Sequence, residues 1–434
     1  MCAPKHKPGG GVPNTEYDLR KDFMPTHCPK FLASGLILFC ATFVAISGAA
    51  SAQTVTPICS PKILADRELV TPAQRKAAGE IAQPPLTDIA DGFAWPDTPL
   101  GVIKTNGSYT FFGSDGGYHA SQSWQGRTVG NNKYGSITRT TGTLDNPLGT
   151  EPPADVTISP NPDPSVNPYY ASYDYMGGGP VYKVPAGMPG AGQWLMVYHA
   201  EIPTVTTQSF YSVLALASSA DQGLTWTDLG EIVRINQGYR SDMDGYDIGD
   251  PNLVVSPDGK YFQIYFSDWL ANGTTHWGTP ATITVLSVAR ATISSVLNDA
   301  FGKYPRAAAF QKYYEGWNLD QALGGYSQDL NPNGGYNGSM QVAYNSYLKR
   351  YQLFINQGVL IAYAESPDGM AWSIPSILYD FRNDPDMPSV YDAPVGMGDD
   401  PSTLGKTFYI LYTRSPNGLG WDGASVNRFT ISCQ

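Results

Sequence analysis

Five stretches of this 434-residue chain join a glycine- or lysine-marked turn to an apolar run led by an aromatic residue. They read GSYTFFGSD from Gly107, GQWLMVYHAE from Gly192, GKYFQIYFSDW from Gly259, KRYQLFIN from Lys349 and KTFYILYT from Lys406. In a strand, side chains two apart share a face. The leading aromatics (Tyr109, Trp194, Tyr261, Tyr351 and Phe408) therefore lie on one face with the residues two and four places on. An inner-strand candidate precedes each run: TPLGVIKT from Thr98, GGPVYKV from Gly178, PNLVVS from Pro251, SMQVAYN from Ser339 and a segment around 389–391. Outer candidates follow as YSVLALASS from Tyr211, ITVLSVA from Ile283 and GVLIAYAES from Gly358.

A unit recurring every 50–90 residues implies radial stacking of small sheets. The predicted fold is all-β, a five-bladed propeller over 95–434. High Gly (46) and Pro (35) fit many short strands separated by turns. Residues 53–94 are expected to form an N-terminal extension with one short helix, Thr71 as its N-cap and Pro72 at its first position, outside the main body. A second helix is predicted over 292–301. The long interruptions at 126–173 and 291–338 are expected to be functional loops on a rigid scaffold.

Residues 30–52 change the picture of the N-terminus. A lysine, an apolar run and Ala50-Ser51-Ala52 make a secretory signal pattern, and the run from Phe31 to Ile46 is short for a membrane span. Residues 1–52 are read as a signal peptide, with Met24 as an alternative translation start. The protein is expected to be secreted or periplasmic, with no membrane attachment after cleavage. Without residues 1–52, 22 Lys/Arg face 35 Asp/Glu. No basic patch interrupts that acidity, which argues against a nucleic-acid partner. Most of the Asp residues adjoin Gly, Pro, Asn or Ser, where turn chemistry accounts for them. Only Cys59 and Cys433 follow the signal, one near each end, and a disulfide between them would fasten the last blade to the first.

Ser219-Ala220-Asp221-Gln222-Gly223-Leu224-Thr225-Trp226 matches the Asp-box pattern, and Ser366-Pro367-Asp368-Gly369-Met370-Ala371-Trp372 is a shortened relative. Such turns report fold, not catalysis: the Asp closes a hairpin and the Gly takes positive φ. With WPDTPLGVIKTNGSYTFFGSDG from Trp95, IGDPNLVVSPDGKYFQIYFSD from Ile248 and SPDGMAWS from Ser366, the chain resembles the five-bladed propeller glycoside hydrolases, the superfamily of arabinanases, β-xylosidases and invertases. The likeness spans 95–432 in rhythm more than in identity.

Glycoside hydrolysis needs two carboxyl groups across the scissile bond, roughly 5–9.5 Å apart according to mechanism. In a propeller, acids at inner-strand entrances converge on the axis. Asp97, Asp174 and Asp250 hold such places, and Asp392 a weaker one. The resemblance implies Asp97 as general base, and Asp174 or Asp250 as the carboxylate that tunes the acid and orients the sugar. The superfamily's Glu-Gly-Pro motif is missing, which leaves Glu201 and Glu315 (in Tyr314-Glu315-Gly316-Trp317) as candidates for the general acid. Trp95, Trp269 and Trp317 could stack on sugar faces. His199 and Asp247 are further substrate-facing candidates. No His has a neighbour at zinc-ligand spacing. No cofactor is expected, with Ca²⁺ the one alternative raised by the acidic segment 242–247.

These features predict a secreted, monomeric glycoside hydrolase whose partner is a carbohydrate, with arabinofuranose-containing glycans among the candidates. A propeller that binds carbohydrate without cleaving it is the alternative, favoured by the missing motif. A sialidase ranks lower, because one full Asp box and few Arg near inner strands supply no triple-Arg carboxylate site. No G-x-S-x-G signal supports a serine nucleophile.

Overall fold

The computed structural model describes residues 55–77, 95, 97–114, 137–151, 153–173, 175–203, 210–236, 238–239, 247–268, 285–317, 322–332, 338–384, 386–388, 391–416 and 424–434. All belong to one compact unit, Gln53–Gln434. It is nearly all β.

Strand β1 (Pro61–Val70) and helix α1 (Pro72–Ala77) come first. The first antiparallel group follows: β2 (Gly101–Thr105), β3 (Ser108–Ser114), β4 (Ile137–Gly142) and β5 (Ala154–Ser159). In the second, β6 (Tyr175–Gly177) and β7 (Val181–Lys183) both pair with β8 (Trp194–Pro203), followed by β9 (Phe210–Ser219) and β10 (Thr225–Arg234). The third holds β11 (Ile248–Val255), β12 (Tyr261–Asp268), β13 (Val285–Thr292) and, after α2 (Ile293–Ala300), β14 (Gln311–Lys312). The fourth is β15 (Ser339–Asn345), β16 (Arg350–Asn356), β17 (Leu360–Ser366) and β18 (Ser376–Asp380).

The chain ends with β19 (Asp386–Pro388), β20 (Ala393–Gly396), β21 (Thr403–Leu404), β22 (Thr407–Pro416) and β23 (Ser425–Cys433). Here β19 and β20 pair with β22, while β21 crosses to pair in parallel with β15. Two parallel pairings thus tie groups together, the other being β5 on β10, which merges the first two groups into a nine-stranded sheet. Five antiparallel groups in chain order are consistent with a propeller.

The middle strands are where the sequence cadence placed them. Tyr109, Trp194, Tyr351 and Phe408 are buried, and β12 and β16 are buried at every position after their first. Tyr261 is half-buried and lies beneath the Arg290 guanidinium, 4.4 Å from its ring centroid. Burial on both faces explains why these runs are apolar almost throughout: each middle strand packs against sheets on either side. The inner strand of the last group departs from expectation. It is Ala393–Gly396, not the segment around 389–391; 389 and 390 lie outside the described residues and Tyr391 is irregular.

The N-terminal segment does more than carry a helix. Pro61–Val70 pairs antiparallel with β23 from Pro61↔Cys433 to Val70↔Val426, so the first described strand completes the last sheet. Cys59 and Cys433 are disulfide-bonded, with Cα atoms 5.1 Å apart. Thr71 caps α1 by accepting from Gln74 N at 3.1 Å, while Gln74 Oε1 accepts from Thr71 N at 2.9 Å, a reciprocal capping box. The helix is anchored to the body, since buried Arg75 donates to the carbonyls of Ala424 and Trp95. Helix α2 is capped by Thr292 and buries Ile293, Val296, Leu297 and Ala300, one face at helical spacing.

The full Asp box closes the β9–β10 hairpin. Asp221 accepts from Thr225 N (2.9 Å), Thr225 Oγ1 (2.6 Å) and Ser219 Oγ (2.8 Å), and Gly223 has φ +82°. The shortened copy between β17 and β18 repeats the bonds from Ser366 Oγ, Met370 N and Ala371 N to Asp368.

Candidate active site

Acidic residues mark the entrances to several inner strands. Asp97 precedes β2, with its N–H donating to Ser114 O at the end of β3 (2.8 Å). Asp250 sits within β11 at an irregularity: Gly249 pairs with Ser267, but the next paired residue, Asn252, meets Tyr265. The bulge puts Asp250 at φ +55°, a left-handed conformation that is costly for a residue with a Cβ. Ser267 Oγ then donates to Asp250 Oδ2 at 2.6 Å.

The second group supplies the rest. His199 and Glu201 alternate along β8 and share a face, opposite Gly177 and Tyr175 of β6. His199 Nε2 lies 2.9 Å from Glu201 Oε1, and Nδ1 lies 3.1 Å from the carbonyl of Ile248. The Tyr175 hydroxyl donates to Asp97 Oδ2, and its ring stands edge-on to His199, centroids 5.9 Å apart. Position 177 must be glycine here. A Cβ would fall 2.6 Å from the Tyr175 hydroxyl and 2.5 Å from Thr98 Cγ2. Asp247, just before β11, accepts from Ser212 Oγ of β9 at 2.5 Å. From the last group, Tyr391 lies close enough to Asp250 to influence its ionisation.

Electrostatics follow from burial and crowding of like charge. Burial opposes protonation of His199, yet the bond to Glu201 and the charges of Glu201, Asp247 and Asp97 outweigh it and raise its pKa to about 9. Burial raises Asp247 to about 6, against the opposing pull of His199 and Ser212. Asp250 is likewise raised to about 6 by burial, with Asp247 adding to the rise and Ser267, His199 and Tyr391 resisting it. Burial and the neighbouring carboxylates push Tyr175 and Tyr391 well above the ordinary tyrosine range.

The His199 tautomer is set by its surroundings. A carbonyl only accepts, so Nδ1 carries a hydrogen whatever the charge of the ring. One further proton lies between Nε2 and Glu201, on either partner. At neutral pH the pair therefore holds that proton.

The folded chain brings together Asp97, His199, Glu201, Asp247 and Asp250. Asp174 and Trp269 lie outside the described residues. Three other expected site residues lie elsewhere in the structure. Glu315 is exposed on the connection after β14, at φ +49°, its N–H donating to Gln328 Oε1, away from the cluster. Trp95 is fully buried in the core with Phe111 and Leu411, so its indole presents no face to a ligand. Trp317 is half-buried, edge-on to Tyr313 (5.1 Å) and with the Arg290 guanidinium 3.9 Å from its ring centroid. Asp392 is buried, accepts from Asn356 Nδ2 at 2.9 Å and is raised by burial to about 7. Tyr175, Tyr391, Ser212 and Ser267 were not anticipated. The only local hint was the position of each tyrosine, near the entrance to an inner strand.

Behind the cluster runs a cavity of about 340 Å³ lined by all five groups, through Pro99, Pro180, Pro251, Gln341 and Pro394 among others. Four of these five are prolines. An inner strand is an edge strand facing the channel, so proline at its start removes an N–H that no neighbouring strand would accept. Both His199 nitrogens are already engaged, and the described residues contain no group of three or more His, Cys, Asp or Glu arranged to hold a metal ion. Residues 242–246 of the acidic segment behind the Ca²⁺ alternative lie outside the described residues.

No family model matches the sequence, and no curated protein does. Among solved structures the chain is similar to a Bacillus subtilis arabinanase (12% identity, 79% of this chain and 96% of that one, TM-score 0.43). It is similar also to a glycosyl hydrolase from Bacteroides ovatus (11% identity, 86% and 94%, TM-score 0.45). A third is a family 117 glycoside hydrolase produced by the marine bacterium Zobellia galactanivorans (12% identity, 79% and 87%, TM-score 0.44).

Proposed function

We propose that this protein is an exported five-bladed propeller glycoside hydrolase acting on an oligo- or polysaccharide by acid–base catalysis between carboxyl groups. The observation that carries the reading is the convergence of Asp97, Glu201, Asp247 and Asp250 from three strand groups on one buried histidine. Separated in sequence by up to 153 positions, these acids have no shared structural task that would explain gathering them. Burying like charges together is costly and is characteristic of sites doing chemistry.

In this reading Asp97 is the general base, aimed by the Tyr175 hydroxyl. It takes a proton from the attacking water as oxygen bonds to the anomeric carbon. The glycosidic C–O bond breaks, and the leaving oxygen takes its proton from Glu201. His199 keeps Glu201 supplied, because the pair holds its shared proton through neutral pH. Asp250, and with it Asp247, orients sugar hydroxyls and tunes the acid. The disulfide between Cys59 and Cys433 suits an oxidising compartment and supports export.

Incubating the protein with arabinan, xylan, fructan and mannan, and reading the product anomer by NMR, tests the proposal. Hydrolysis that Asp97→Asn abolishes is the expected result, and no hydrolysis of any of them counts against it. One observation favours a non-catalytic carbohydrate-binding propeller instead: the same bond to His199 that supplies Glu201 also occupies one of its oxygens. Tight binding of one of these glycans without cleavage would select that reading.

A further inference from the structure

Buried polar side chains fasten the segment 161–173 to β10, the outer strand of the second group. Asn161 Nδ2 donates to the Asp228 carbonyl at 2.9 Å, Asn167 Nδ2 to Asp228 Oδ2 at 2.9 Å, and the Tyr173 hydroxyl to Glu231 Oε1 at 3.0 Å. The clamp holds Tyr169 edge-on to Tyr239, ring centroids 6.1 Å apart, and Tyr239 stands edge-on to Tyr211 at 5.7 Å. Tyr211 is buried, whereas Tyr169 and Tyr239 are only half-buried. The row of rings begins beside the acid cluster. Tyr211 pairs with Ile202, next to the Glu201↔Ser212 pair, so it lies one strand, about 5 Å, outward from the strand of Glu201.

Two polar groups on the chain leading from β10 to Tyr239 lack hydrogen bonds. The Arg234 side chain is 29% exposed, and the one polar contact of its guanidinium among the described residues is Glu231 Oε2 at 3.6 Å, beyond hydrogen-bond distance. Asn236 Oδ1 is buried with no hydrogen-bond partner among those residues. Packing explains the rings but leaves these groups without a role. We propose that Tyr169, Tyr239, Arg234 and Asn236 form a subsite for sugars of a neutral glycan chain that extends from the acid cluster over the second strand group. The rings match the apolar C–H face of a sugar, and the guanidinium donors and amide oxygen match its hydroxyls. Glu231 already neutralises Arg234, and the protein as a whole is acidic, so a polyanionic glycan is disfavoured. The proposal rests on the hydrolase reading above.

Binding is measured in the Asp97→Asn protein, where cleavage does not deplete the glycan, by retardation in gels containing arabinan, xylan, fructan, mannan or polygalacturonate. Retardation by at least one neutral glycan is expected. Tyr169→Ala and Arg234→Met should each weaken it about tenfold, while Tyr169→Phe, whose ring still stacks, should retain it. Melting temperatures establish that each variant is folded, and Tyr169→Phe against Arg234→Met separates lost contacts from lost packing. Retardation by none of the neutral glycans, a preference for polygalacturonate, or unchanged retardation in both Tyr169→Ala and Arg234→Met overturns the proposal. With Asp97 restored, Tyr169→Ala should raise KM for the polymer about tenfold and lower kcat much less. The two readings fail separately. Cleavage whose KM ignores Tyr169 and Arg234 removes this subsite alone, and a glycan bound through them but never cleaved removes the hydrolase reading alone.

Discussion

His199 and Glu201, two residues apart on one face of β8, share a single proton at 2.9 Å while the far nitrogen of the ring is tied to the carbonyl of Ile248. Two alternating positions on one strand thus hold a proton in a buried pair. The imidazole rests against the Tyr175 ring, whose hydroxyl holds Asp97. His199 and Asp97 are thus linked through Tyr175.

Glu201→Gln and Asp97→Asn are each expected to lower turnover by at least about 10²-fold, the scale of a general acid or base. Glu315→Gln should leave turnover unchanged, because that carboxylate is exposed and apart from the cluster. Steady-state rates on whichever glycan the wild type cleaves, with circular dichroism as a fold control, check all three. Equal losses in the three variants would remove the assignment of the acid.

Stability should fall as pH rises through the titration of His199. Its folded pKa of about 9 exceeds the ordinary value of 6.5. The stabilisation is therefore complete below about 6.5 and lost progressively toward and through 9, an effect of order 3 kcal/mol for this buried pair. Melting temperatures from pH 5.5 to 9.5 should decline more steeply in the wild type than in His199→Gln. Parallel curves would contradict the raised value.

Asp250→Asn should melt higher than the wild type at pH 7.5 and no higher at pH 4. The raised Asp250 pKa, about 6, means that ionising this group costs stability. Below the unfolded value near 4 the folded protein keeps the full benefit of the protonated form, and it loses that benefit as pH passes 6. The gain at pH 7.5 is about 1–3 kcal/mol, obtained together with lost turnover, as happens where a site is held in a strained arrangement. A variant that melts lower at pH 7.5 would show that the carboxylate is structurally needed.

Reducing the Cys59–Cys433 bridge, or replacing both residues by serine, should destabilise the fold by about 2–5 kcal/mol. The bridge fastens the start of β1 to the end of β23. Urea unfolding with and without reductant measures this, and coincident curves would show that pairing of β1 with β23 suffices.

Asp221→Ala should cost about 1–3 kcal/mol and leave turnover intact. It removes an acceptor for the N–H groups of Leu224 and Thr225 and for two hydroxyls, all in the β9–β10 hairpin. Chemical denaturation alongside an activity assay separates the two effects.

By itself the sequence determined what depends on neighbours a few residues away. The aromatic-led middle strands, both Asp-box hairpins and the caps at Thr71 and Thr292 are local events, governed by period-2 alternation, short side chains that bond to nearby N–H groups, and glycine at positive φ. The pairing of the two cysteines was legible because no others follow residue 52. Tertiary structure alone decided which acids meet. Glu201 and Glu315 look alike in sequence, each beside aromatic residues, yet only one lies on a strand facing the channel mouth. Trp95 could not be told from a ligand-stacking tryptophan until packing buried it, and the inner strand at 393–396 had too few residues to announce itself.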